Sequence, residues 1–149
     1  MRTILFASAV ISAAIAGAVA AAPADDFANA LAGPWGRVDI SWTPYTGVLA
    51  KNSCPAGGVR QPSTIGLFGE GGSMWLEPAA GGALKVHDGN PVAPSLEFVR
   101  METASSAVYR AAGGERRLSL VGPDRLSDER LPVVAGMPAA KYLRCKIKK

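Results

Sequence analysis

From Arg37 to Trp42 the chain alternates, with Val38, Ile40 and Trp42 set against Arg37, Asp39 and Ser41. A period of two marks a strand with one face buried. The rhythm returns in short stretches at 64–68, 73–77, 83–87, 96–101, 107–111, 117–121, 125–130 and 141–146. Turn-forming runs punctuate them: Gly69-Glu70-Gly71-Gly72, Gly81-Gly82, Asp88-Gly89-Asn90-Pro91, Gly113-Gly114 and Gly122-Pro123-Asp124. One stretch has a different period. Phe27 and Leu31 lie one helical turn apart, Asp25 or Asp26 offers a cap, and Gly33-Pro34 stops the run, so a short helix is expected there. Residues 44–62 have no period and read as a long loop. No helix is long enough to cross over between parallel strands, which excludes a βαβ architecture. The expected fold is all-β: an eight- or nine-stranded antiparallel barrel, or a sandwich, with a short N-terminal helix. Its inward set would be Val38, Ile40, Trp42, Leu67, Met74, Leu76, Leu84, Val86, Phe98, Leu118, Leu120 and Leu143.

The first residues have a separate logic. Arg2 is the sole charge before Asp25, an apolar run extends from Ile4 to Val19, and Ala18-Val19-Ala20-Ala21-Ala22 closes it with small residues. A basic start, an apolar stretch and a small-x-small exit describe a secretory signal peptide over residues 1–22, cleaved after Ala20 or Ala22. A single domain, 23–149, is then expected to be soluble and periplasmic or secreted. Its two cysteines, Cys54 and Cys145, meet an oxidising compartment and are expected to form one structural disulfide. They lack the Cys-x-x-Cys spacing of a redox pair.

Composition narrows the chemistry. Two cysteines and one histidine in 149 residues exclude a zinc ribbon and a multi-histidine metal site. No metal and no cofactor are expected. His87-Asp88 cannot serve as part of a hydrolytic triad, because neighbours on a strand point to opposite faces. His87 reads as a solvent-facing residue beside a turn. Ser73 lies in Gly71-Gly72-Ser73-Met74-Trp75, which is not a nucleophile elbow. Asp128 and Glu129 lack calcium-loop spacing and read as a solvated strand edge. No catalytic residue emerges, and an enzyme is not expected. The net charge of +4 gathers partly in Arg116 and Arg117, and in Lys141, Arg144, Lys146, Lys148 and Lys149. With Tyr142 as the one aromatic among them, a nucleic-acid surface is not expected; a weak attraction of the C-terminal Lys and Arg residues to anionic surfaces is.

The aromatics carry the remaining signal. Trp42, Phe98 and Tyr109 fall on inward phases and are candidates to line a ligand cavity, since a barrel of about eight strands can hold one small ligand. Trp75 falls on the outward phase, and with Tyr45 in the long loop it is a candidate contact for a partner.

Phe27 and Leu31, followed by Ala32-Gly33-Pro34-Trp35, make a short helix, a glycine and a tryptophan opening the first strand. This resembles the start of lipocalin-like (calycin) small β-barrels and the Ala-Gly-x-Trp start of small periplasmic metalloprotease inhibitors. The resemblance implies that Trp35 packs at the barrel base. In those inhibitors the disulfide is short-range and an extended N-terminal segment enters the protease; here the second cysteine is near the C-terminus and few residues precede the helix. Lipocalins often tie their C-terminal segment to the barrel by a disulfide, as Cys54–Cys145 would. The expected function is therefore an exported, non-catalytic binding protein holding a small apolar or amphipathic ligand. The alternative is a protein-interaction module, a protease inhibitor or an envelope-assembly factor.

Overall fold

The structure, a computed structural model, describes residues 22–38, 54, 57–62, 73–89, 92 and 94–149. It opens with helix α1, Ala22–Leu31. The apolar face is Ala24, Phe27, Ala28 and Leu31, all buried, which is the i, i+3, i+4, i+7 stripe of a helix docked on a core. Asp25 does not cap this helix, because α1 begins three residues earlier. Its Oδ1 instead accepts the Gly82 backbone N–H at 2.7 Å. Gly82 belongs to a 3₁₀ turn, Ala80–Gly82, and has φ 75°; a Cβ there would sit 2.6 Å from the Ala24 Cβ. Only glycine lets this turn lie against α1.

Eight strands follow: β1 Gly33–Val38, β2 Ser73–Pro78, β3 Leu84–His87, β4 Ser95–Thr103, β5 Ser106–Ala111, β6 Gly114–Gly122, β7 Arg125–Leu131 and β8 Ala140–Arg144. Each pairs antiparallel with the next, and β8 pairs with β1 through Trp35↔Arg144 to Val38↔Lys141, closing a barrel. Full closure leaves no strand edge exposed among these eight. The expected strands at 64–68 and 39–42 lie outside the described residues. So do Trp42 and Tyr45.

Inside, the long-range core joins α1 to every strand: Phe27, Leu31, Trp35, Met74, Leu76, Leu84, Leu96, Tyr109, Leu118, Leu126 and Tyr142. Each fully buried large apolar side chain contributes about 1.5–3 kcal/mol of transfer free energy. Two expectations about phase are corrected. Tyr142, not Leu143, faces inward on β8, because the register places it opposite Leu126 and Arg37. On β1 the core residue is Trp35; by alternation Val38 takes the other face, although it too is buried. On β4 the register shifts between Phe98 and Arg100 and again between Met101 and Thr103. An extra residue at a bulge changes the phase, which is how Phe98 and Met101, three apart, both pack on the core.

On the outside, Cys54 and Cys145 form a disulfide with Cα atoms 5.2 Å apart. Beside it, Val59 and Ile147 form an isolated parallel bridge, with Val59 N–H donating to Lys146 O at 2.7 Å. Gly58 permits this approach: its φ is 79°, and a Cβ would stand 2.7 Å from Lys146 O. A second outer feature is an ion-pair ladder across β4, β6 and β7, in which Arg117 donates to Glu102 at 2.5 Å and to Glu129 at 2.6 Å. The Arg117 hydrogen bond, countered by slight burial, holds the Glu102 carboxyl below its ordinary range.

Candidate functional site

The barrel has two unlike ends. At the α1 end, Trp35 is fully buried and its indole N–H donates to Leu31 O at 2.8 Å. The Arg144 guanidinium lies over the Trp35 ring, 4.2 Å from its centroid. It also donates to Ala32 O at 2.8 Å, Ala30 O at 2.8 Å and Pro123 O at 3.0 Å. The last carbonyls of a helix lack intrahelical partners, and a cation there opposes the negative end of the helix dipole. Burial, opposed by Asp124, lowers the Arg144 pKa. This end is covered by α1, which Arg144 latches in place.

The other end of the interior is polar. Leu118 faces the core, and Asp128 pairs with it across β6–β7, so Asp128 also points inward. Tyr109 faces the core, and Arg116 pairs with it across β5–β6. The two inward residues meet: Arg116 Nε donates to Asp128 Oδ1 at 2.9 Å, and Nη2 donates to Oδ2. Asp128 is only 6% exposed, so the expectation of a solvated strand edge is overturned for it. Removing a carboxylate from water is costly unless a bidentate cation replaces the lost hydration, as Arg116 does here. Burial opposes the Arg116 cation; the hydrogen bonds and charge of Asp128 outweigh it and raise the pKa.

Around this pair stand Tyr142, Tyr109 and Phe98. Burial, joined by the nearby Asp128 charge, raises the Tyr142 phenol pKa, while Arg37 and Arg116 oppose the rise. Phe98 and Tyr109 meet edge to face with ring centroids 6.0 Å apart. Tyr109 is 0% exposed, and its hydroxyl has no hydrogen-bond partner among the described residues. Burial raises its pKa as well. A buried hydroxyl without a partner costs about 1–3 kcal/mol. Among the described residues the Tyr109 hydroxyl is the one buried side-chain nitrogen or oxygen without a partner, which makes it the chemically distinctive atom of the site.

Of the expected site residues, Phe98 and Tyr109 are thus brought together. Trp75 is on the outer face, half-buried against Val59, Cys54 and Cys145. His87 is on the outer face, opposite Trp75, and partly exposed. Its Nε2 lies 2.6 Å from Glu77 Oε2, across the β2–β3 pair, so its carboxylate neighbour is Glu77 and not Asp88. Arg116 and Asp128 escaped the sequence reading, yet a signal existed. Arg116 is in phase with Leu118 and Leu120, and Asp128 with Leu126: two polar residues, opposite in charge, on the inward phase of adjacent strands. A separate cavity of about 330 Å³ lies where α1 meets the barrel, lined chiefly by Phe27, Ala30, Met101, Ala104, Ser105 and Leu120.

Among the described residues no group of three or more His, Cys, Asp or Glu side chains is placed to hold a metal ion. No described helix is long and apolar enough to cross a membrane. What the fold and site define is a closed eight-stranded antiparallel barrel, capped by a helix at one end and polar within at the other. No protein-family model, no curated protein and no solved structure matches the chain.

Proposed function

We propose that this protein is an exported, non-catalytic carrier, a lipocalin-like barrel that holds one small amphipathic ligand in the interior opposite α1. The observation that carries the reading is the fully buried Tyr109 hydroxyl, unpartnered among the described residues. It would donate to an acceptor on the ligand, with Phe98 against the apolar body and the Arg116–Asp128 pair beside the polar head. Small-ligand sites combine an apolar lining with a few placed polar groups, and this interior has that composition. Trp35 seated at the barrel base supports the lipocalin-like reading. The disulfide supports an oxidising compartment, and so does the basic, apolar, small-residue pattern of residues 1–22.

The test is native mass spectrometry on protein recovered from its own envelope, repeated under denaturing conditions. A mass excess lost on denaturation is expected. Tyr109→Phe should weaken retention roughly tenfold, the worth of one buried hydrogen bond, while the fold survives. A bare chain in both spectra, or equal retention by Tyr109→Phe, would remove the carrier reading.

A second reading, the protein-interaction module, rests on the 330 Å³ cavity beside α1, which opens at the surface and has mostly apolar walls. It predicts that Ala30→Arg, which fills this cavity, abolishes crosslinking to an envelope protein while leaving any retained ligand mass unchanged. Trp75 and Tyr45 remain the other contact candidates under this reading.

A further inference from the structure

The segment between β7 and β8, residues 132–139, lies at the barrel end opposite α1. Met137 N–H donates to Val134 O at 3.1 Å, folding the segment into a tight turn. Val133, Val134 and Met137 are 59%, 52% and 57% exposed. Val92, in the β3–β4 connection at the same end, is 78% exposed. Single exposed apolar residues are ordinary, but three within one turn form a patch.

Among the described residues, cations outnumber the one acid exposed on this rim, Asp88 of the β3–β4 connection, whose charge reaches Tyr142 on β8. Arg130 is the second-last residue of β7 and Lys141 the second of β8, so the two cations flank the segment; both are exposed. Neither has an ion-pair partner among the described residues. Arg37 is at the neighbouring end of β1, opposite Tyr142. The acidic groups packed nearby are engaged. Asp128 is held by Arg116, Glu129 by Arg117, and Glu115 lies 3.9 Å from both Arg100 and Arg110. The patch is thus an apolar tip beside a cluster in which cations predominate. That is the arrangement by which a surface element inserts a few side chains among lipid headgroups while its Lys and Arg meet anionic phosphates.

We propose that this end of the barrel docks on an anionic phospholipid surface, through Val133, Val134 and Met137 with Arg130 and Lys141. The site is distinct from the basic C-terminal tail. Ile147 of that tail approaches Gly33, at the α1 end, so tail and turn face opposite ways along the barrel. The inference does not depend on a ligand in the interior.

The experiment is vesicle flotation with protein recovered after expression of the full chain, all variants sharing one determined N-terminus. One set of vesicles is phosphatidylcholine alone; the other contains about one third phosphatidylglycerol. Binding to the anionic vesicles, at least tenfold above the neutral ones and reversed at about 0.5 M salt, is expected. Val133→Asp with Met137→Asp should abolish it. Arg130→Glu with Lys141→Glu should remove the preference for anionic lipid. Substituting Lys146, Lys148 and Lys149 by Gln should leave both intact. A second measurement needs no loss of binding: Val134→Trp should shift its added fluorescence to the blue on anionic vesicles. No binding, undiminished binding by the first two variants, loss with the tail variant, or an unshifted Trp emission would each overturn the proposal. Loss with the tail variant would assign the attraction to the C-terminal lysines.

Discussion

Tyr109 links stability to pH as well as to a ligand. Its hydroxyl is buried without a partner among the described residues, so Tyr109→Phe should raise the stability of the ligand-free protein by about 1 kcal/mol near neutrality. The same substitution weakens retention under the carrier reading, which is the opposition expected where a binding atom is kept at the expense of packing. The alkaline limb follows from sign. The folded pKa of Tyr109 is above the unfolded value, because burial disfavours the phenolate. Its contribution is complete below about pH 10 and is lost as pH rises beyond that, by about 1.4 kcal/mol per pH unit while the unfolded phenol ionises and the folded one does not. Tyr142 acts in the same direction. Urea unfolding at about pH 7.5 and about pH 11 should therefore show a steep loss for the wild type and a shallower one for Tyr109→Phe. Equal losses would mean that the Tyr109 phenol ionises freely in the folded state.

Among the elements, α1 depends most on a single distant side chain. Arg144 on β8 binds the carbonyls of Ala30 and Ala32 and lies over Trp35. Arg144→Ala should cost about 2–4 kcal/mol, combining charged hydrogen bonds with a cation–π contact. Arg144→Lys should recover little, since one ammonium cannot replace a planar fork spread over three carbonyls and a ring. Amide hydrogen exchange should locate the loss in α1 and β1, with β5 and β6 protected. The sequence made most of these elements readable. Alternation located strands at 73–77, 83–87, 107–111 and 125–130 near their observed bounds, and Phe27 with Leu31 marked the helix face. What alternation could not show was a change of phase. The β4 bulges between Phe98 and Thr103 insert residues that a strict period of two does not anticipate. Nor does a period distinguish Tyr142 from Leu143, because both are apolar enough to face in; the register against Leu126 decides it. For the site, Phe98 and Tyr109 were legible as inward aromatics. The Arg116–Asp128 pair was not, since a charged residue in a strand is usually a solvated one and only its cross-strand neighbour reveals the exception.

For the whole molecule, the barrel seam is the point of greatest consequence. Every pairing among the eight strands joins sequence neighbours except that of β1 with β8. Three devices gather at that seam: the Arg144 latch, the Val59–Ile147 bridge and the Cys54–Cys145 disulfide. Their sequence separation of 91 makes the disulfide worth about 4–5 kcal/mol in the chain-entropy model. Replacing both cysteines by Ala should lower unfolding free energy by roughly that amount and shift Trp75 emission to the red, as Val59 and its neighbours release the ring. An unchanged emission would mean that the outer segment holds Trp75 without the bridge. The seam also imposes an order in time. Strands β1 to β7 can pair in order as the chain emerges, but the second edge of β1 waits for β8, Trp35 for Arg144, and Cys54 for Cys145. A chain delivered as far as Ala139 is an open sheet with two bare edges, so the arrival of β8 decides whether it becomes a barrel or a template for aggregation. A stop codon anywhere after β7 would therefore discard far more than the strand it removes.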